Sequence, residues 1–292
     1  MGLTGIGVAL VTPFNEDFSV DYNSLGQVID YVIHGKANYV VTLGTTGETA
    51  TLTEAEKLEI LNYTYEKVAG RVPVVVGIGG NNTQEIIDTI KAWPLEKAAA
   101  ILSVSPYYNK PSQEGIYQHY AAIANSTDKD ILLYNVPGRT SSNLLPPTVL
   151  RLATDFKNII GIKDASGNME QCLHLIKDRV EGFLLISGDD HITLPLIACG
   201  FDGVISVAGN CFATEFTRLT HLSLEGDFAT ARKIQDKLLI GIDLLFAENN
   251  PSGVKAFMAE MGLIKNYLRL PLLPLSAKWH EQVKAFMEGD LK

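Results

Sequence analysis

The stretch Ile159-Ile160-Gly161-Ile162-Lys163-Asp164-Ala165-Ser166-Gly167-Asn168 sets the frame for the rest of the chain. Its apolar run is continuous rather than alternating, the pattern of a parallel strand covered on both faces. It ends in small and polar residues, and Asn168 is placed to cap a helix that follows. The same unit recurs along the chain. Apolar runs bounded by Gly, Pro or Asn occupy residues 6–12, 39–43, 72–78, 98–104, 130–135, 159–163, 183–187 and 203–207. Stretches with helical spacing lie between them, such as residues 54–68, with Leu58, Ile60, Leu61 and Tyr65 among the apolar positions. Thr53 is placed to cap that helix with Glu56 completing a capping box, and Ser112 opens another.

Eight strand-like runs separated by helices predict an α/β fold, a closed (β/α)8 TIM barrel over residues 1–224. An open sheet of eight parallel strands is the alternative on pattern alone. After Glu225 the strand signal stops, and residues 225–292 read as a small C-terminal helical domain, with helices at 227–247, 251–261 and 277–287. The length of 292 residues fits a barrel of roughly 250 residues with a short appendage.

Composition narrows the function. With 46% hydrophobic and 20% charged residues, the chain is globular with a sizeable core. The net charge is −9 with no run of lysine or arginine, which argues against nucleic acid as a partner. Cys172, Cys199 and Cys211 are too few and too scattered for a disulfide framework or a CxxC metal site, so they read as small buried hydrophobes. The opening MGLTGIGVALVTPF lacks a basic n-region and reads as a first strand. No apolar run approaches the roughly 20 residues of a membrane helix. A cytoplasmic location is expected.

A barrel of this kind carries its chemistry at the C-terminal ends of the strands. Lys163 is the sharpest residue there: a lysine directly after an apolar run is partly desolvated, which suits an amine nucleophile. The alternatives are a side chain snorkelling to the rim or paired with Asp164. A Schiff-base amine needs a proton shuttle, and Tyr134 on the neighbouring strand is a candidate, or else core filler. Thr45 and Thr46, flanked by glycines, can offer hydroxyls and N–H groups to a carboxylate, or form an ordinary turn. Arg139 can grip a second carboxylate bidentately, or stay solvated. Residues 77–82, GIGGNN, place Asn82 where a dinucleotide fingerprint wants its third glycine. Asp189, Asp190 and His191 suit loop and capping roles better than metal ligation, and no metal site is expected.

Taken together, GIGVALVTPF, GTTGETATL, PYYNKPSQEGIYQHY, YNVPGRT, IIGIKDASGN, SGDD and GVISVAGN, with NNPSGVKAFMAEMGL and LRLPLLPL in the tail, carry a resemblance over nearly the whole chain. They resemble the pyruvate-dependent class I aldolase and lyase superfamily, which contains dihydrodipicolinate synthase and N-acetylneuraminate lyase. GTTGE marks only the superfamily, whereas YNVPGRT and PYYNKPSQEG are specific to the synthase branch. The resemblance implies a lyase that condenses pyruvate with L-aspartate 4-semialdehyde to give 4-hydroxy-tetrahydrodipicolinate, in diaminopimelate and lysine biosynthesis. It implies a homotetramer built as a dimer of dimers, and no cofactor beyond a covalent imine between Lys163 and pyruvate. Tyr134 is then the acid/base group, relayed through Thr45 to Tyr108 reaching across from a partner subunit. Thr46 holds the pyruvate carboxylate, Arg139 that of the semialdehyde, and Ile205 contributes backbone near the imine.

The resemblance also marks an effector site for lysine. Ala50, Asn81, Glu85 and Tyr107 match its usual pattern, whereas Glu54 and Lys57 stand where lysine-sensitive members often carry histidines. Lys57 would bring like charge towards an effector's ammonium group, so weak or absent inhibition is expected. KDASG for the commoner KEATG, and GVISVAGN for GVISVTAN, are departures expected to leave the reaction unchanged. The rivals are another pyruvate Schiff-base aldolase or lyase of the superfamily, of sugar-acid or N-acetylneuraminate type; a keto-acid sensor, which should have lost part of a constellation that is complete here; and a flavin- or phosphate-binding barrel. Gly188 and Gly209 alone do not make the phosphate site that the last would need.

Overall fold

The computed structural model describes residues 2–289. Eight parallel strands close into one barrel: β1 Gly5–Ala9, β2 Tyr39–Thr42, β3 Val74–Gly77, β4 Ala98–Val104, β5 Ile131–Asn135, β6 Ile159–Asp164, β7 Leu184–Ser187 and β8 Gly203–Ser206. They pair in chain order and β8 returns to β1, with Gly7 opposite Ile205, so the open-sheet alternative is excluded. Helices follow the strands around the outside, among them Glu54–Val68, Gln113–Ala124 and Met169–Lys177. Their predicted starts are present. Thr53 and Glu56 form the capping box, Ser112 accepts from the Gly115 N–H, and Asn168 from the Gln171 N–H.

Strands end earlier than their apolar runs where something else takes over the backbone. The first run extends to Thr12, yet β1 stops at Ala9 because the Asn210 side chain intervenes. Its Nδ2 donates to Ala9 O at 2.7 Å and its Oδ1 accepts from Val11 N at 3.3 Å. β2 stops at Thr42 because Leu43 turns to a left-handed φ of 57°.

The apolar side chains form two layers, as period-two alternation in a closed barrel requires. Tyr39, Val41, Val75, Leu102, Leu132, Ile186 and Ile205 fill the interior. Gly7 is needed beside them: a Cβ there would stand 2.1 Å from the Tyr39 ring. The second layer lies between strands and helices and includes residues of the C-terminal helices Phe228–Phe246, Ser252–Glu260 and Ala277–Gly289. Phe212, which precedes the last barrel helix, meets Phe257 edge-on at 5.2 Å between centroids, and Phe257 meets Phe286 at 5.9 Å. The C-terminal helical region therefore shares the barrel's core. Residues 290–292 of the expected helical domain lie outside the described residues.

Candidate active site

Lys163 and Tyr134 are directly opposite each other in the β5–β6 register. Both are turned into the barrel mouth and buried, at 6% and 7% exposure. The Lys163 Nζ lies 4.2 Å from the centre of the Tyr134 ring. A lysine so covered is not snorkelling to the rim. Its stem passes Gly188, directly after β7, where a Cβ would stand 2.8 Å from Lys163 Cε; only glycine leaves that path open.

Asp164, one residue on, faces the opposite side of the strand, so the expected alternative of a Lys163–Asp164 pair does not form. Its carboxylate instead accepts from Asn135 Nδ2 at 3.0 Å, Gln171 Nε2 at 3.1 Å, Ser166 N at 2.9 Å and Ser166 Oγ at 2.5 Å. This buried network locks the end of β6 to β5 and to the helix Met169–Lys177. Lys163 is left without an anionic partner among the described residues.

The strand-two loop supplies the next groups. Thr45 to Gly47 form one 3₁₀ turn; Thr45 is exposed and Thr46 is buried at 3% exposure. The Thr46 Oγ1 accepts from Asn250 Nδ2 at 3.0 Å. Asn250 also receives, on its backbone oxygen, Arg139 Nη2 at 3.2 Å. Asn250 therefore joins Thr46, in the turn after β2, to Arg139, in the short helix Pro137–Thr140 after β5, and its own Oδ1 is buried without a partner. Ile205 stands on β8 in the interior layer, at 1% exposure.

The same loop is anchored again at Glu48. Its carboxylate pairs with Lys255 Nζ, both side chains fully buried, and accepts from Arg269 N at 3.1 Å. Burial pulls the Lys255 ammonium down to about 8, against the opposing attraction of Glu48. Arg269 Nη1 donates to Thr51 O at 2.9 Å, and the guanidinium pairs with Glu56, holding that carboxyl down at about 2.

The dihydrodipicolinate synthetase family model matches residues 2–289. The chain belongs to the dihydrodipicolinate synthetase family. It is 51% identical over 290 residues to the 4-hydroxy-tetrahydrodipicolinate synthase of Phocaeicola vulgatus, covering 99% of this chain and 97% of that one. The crystal structure of dihydrodipicolinate synthase from Thermotoga maritima superposes with a TM-score of 0.94 at 40% identity, covering 98% of each chain. That of the chloride-inhibited enzyme from Acinetobacter baumannii, complexed with pyruvate, gives a TM-score of 0.95 at 38% identity and the same coverage.

Other expected members of a dihydrodipicolinate synthetase site lie at the rim. Tyr108 is 89% exposed at a left-handed φ of 72°, and Thr45 does not hydrogen-bond to it within the described residues of one chain. Of the residues expected at an effector site, Asn81 Nδ2 donates to Tyr107 O at 3.2 Å, and Asn109 Nδ2 returns a bond to Asn81 O at 3.1 Å. Ala50 and Glu85 are exposed. Lys57 pairs with Glu54 at 2.6 Å, one turn apart on the same helix. In the SGDD segment, Asp190 caps the N–H groups of Val207 and Ala208 at 3.0 and 2.8 Å, and His191 lies 2.9 Å from Asp243. Among the described residues no helix is long and apolar enough to cross a membrane. Sequence reasoning missed Asn250 and the Glu48–Lys255 pair; the only available signal was the NNP turn between two helices.

Proposed function

We infer that this chain condenses pyruvate with L-aspartate 4-semialdehyde through a Schiff base on Lys163, giving 4-hydroxy-tetrahydrodipicolinate. The observation that carries the reading is the Lys163 amine, buried at the barrel mouth with no anionic partner among the described residues and 4.2 Å from the Tyr134 ring. Lys163 Nζ attacks the keto carbon of pyruvate, and one water leaves as the imine forms. The iminium withdraws electrons, so a methyl proton is lost and an enamine results. The enamine carbon attacks the semialdehyde's aldehyde carbon and closes the new C–C bond, with the aldehyde oxygen taking a proton. The amino group of the new chain then attacks the imine carbon and displaces Lys163, which leaves the cyclic product and the free enzyme.

Tyr134 moves the protons in these steps, connected through Thr45 to Tyr108 of a partner subunit. Because Asn250 Nδ2 donates to Thr46 Oγ1, the Thr46 hydroxyl hydrogen is left to donate to the pyruvate carboxylate. Arg139 receives the semialdehyde carboxylate, and backbone at Ile205 borders the imine. The reading includes a barrel of residues 1–224 with a helical domain at 225–292, a homotetramer in the cytoplasm, and no cofactor beyond the covalent imine.

The test is pyruvate consumption against a panel of aspartate semialdehyde, N-acetylmannosamine, glyceraldehyde and no aldehyde. Selective turnover with aspartate semialdehyde is expected. Turnover with another aldehyde instead refutes the role given to Arg139 while keeping Lys163 as nucleophile.

A further inference from the structure

The Glu48–Lys255 pair touches none of the groups given a chemical role above, yet it is the most completely buried charge pair in the described chain. Withdrawing two ions from water costs much of what their attraction returns, so such a pair is a poor source of net stability. What it supplies is direction. Glu48 stands two residues after Thr46, at the left-handed φ of 53° that ends the Thr45–Gly47 turn. One carboxylate oxygen takes Lys255 Nζ and the other the Arg269 N–H, while Lys255 Nζ also donates to Tyr267 O at 3.0 Å. Asn250 holds the loop a second time at Thr46 itself. Thr12 Oγ1 donates to Gly47 O at 2.7 Å, between those two anchors.

We propose that Glu48 and Lys255 are positioning residues for pyruvate: their pair fixes the height of Thr45 and Thr46 over Lys163, making the C-terminal helical region part of the pyruvate site. The proposal rests on the reading of Thr46 as the carboxylate holder. In Glu48→Gln, an amide N–H must face either the Lys255 ammonium or the Arg269 N–H, so one anchor opens. In Glu48→Gln/Lys255→Met no charge is left buried, but the anchor remains absent.

The experiment traps the Lys163–pyruvate imine with borohydride, read by intact mass, at graded pyruvate concentrations. Melting temperature and kcat are measured in parallel. Half-saturating pyruvate is expected to rise about tenfold in both variants, less than the roughly 10²-fold that an ångström of misplacement costs, with kcat changed far less. The paired variant is expected to regain melting temperature without regaining pyruvate affinity. Recovery of both together marks a merely structural pair and overturns the proposal, as does wild-type half-saturation in either folded variant. Should Glu48→Gln fail to fold, the paired variant carries the same comparison. No trapping in the wild-type chain at any pyruvate concentration refutes the Schiff-base reading itself, and this inference with it.

Discussion

Replacing Gly188 by alanine adds one methyl group to the path of the Lys163 side chain and removes no polar contact. The new Cβ would stand 2.8 Å from Lys163 Cε, 3.1 Å from its Cγ and 2.7 Å from Ala165 Cβ. Carbon atoms rest at about 3.5–4.0 Å, so the lysine stem must retreat by about 0.7 Å or more. Overpacking of this kind costs about 1–3 kcal/mol, which a barrel with a continuous core survives. The Lys163 Nζ, as the proposed nucleophile, is less tolerant, because misplacement by an ångström costs about 10²-fold in rate. Gly188→Ala is therefore expected to fold and to form the pyruvate imine about 10²-fold more slowly. The assay is the rate of borohydride-trapped adduct by intact mass, with Gly80→Ala as control, since a Cβ at Gly80 meets Ile86 at an ordinary 3.8 Å. Trapping at the wild-type rate in Gly188→Ala would show that the lysine stem does not need this corridor, and the reasoning would fail.

Tyr134→Phe keeps the ring beside Lys163 and removes the hydroxyl; turnover is expected to slow by about 10²–10⁴-fold, and steady-state rates near wild type would remove Tyr134 from proton transfer. Arg139→Ala is expected to lower kcat/KM for aspartate semialdehyde by about 10- to 100-fold with pyruvate trapping retained, and equal loss for both substrates would contradict its assignment. Lysine is expected to inhibit weakly or not at all, because Lys57 brings like charge towards an effector's ammonium group and already holds Glu54 at 2.6 Å as its counter-ion; tight binding by calorimetry would overturn this. His119 is buried, bonded at Nδ1 to Thr83 and unpartnered at Nε2, and burial pushes it from 6.5 down to about 4. The unfolded chain then binds the extra proton between those values, so stability present above pH 6.5 is lost as pH falls towards 4. Its share between pH 7 and pH 4.5 is about 2–3 kcal/mol, and urea midpoints of wild type and His119→Gln should converge over that range.

The barrel was legible because each strand announces itself locally as a continuous apolar run, and several of the helices that follow open on a capping residue, as at Thr53, Ser112 and Asn168. Lys163 and Tyr134 were legible for the same reason, standing at the ends of such runs. Even the failure of the Lys163–Asp164 pair was implicit in the chain, since successive strand residues point to opposite faces. The early end of β1 was not: the group that stops it, Asn210, is 201 residues from the Ala9 oxygen it satisfies. Asn250 reaches Thr46 across 204 residues and Lys255 reaches Glu48 across 207. Periodicity and capping carry no information at that range.

The ties from residues 250–269 back to the strand-two loop also order events in time. Ribosomal synthesis delivers the Thr45–Glu48 loop early and its anchors late, and long-range contacts close only after the intervening chain is present. A chain arrested after β8 has every strand, including the one bearing Lys163. It lacks Asn250, Lys255 and Arg269, so the Thr45–Glu48 loop keeps its tie from Thr12 to Gly47 but loses those at Thr46 and Glu48. The last quarter of the protein thereby completes the strand-two loop, and a truncated product would carry Lys163 beside a loop without its anchors at Thr46 and Glu48.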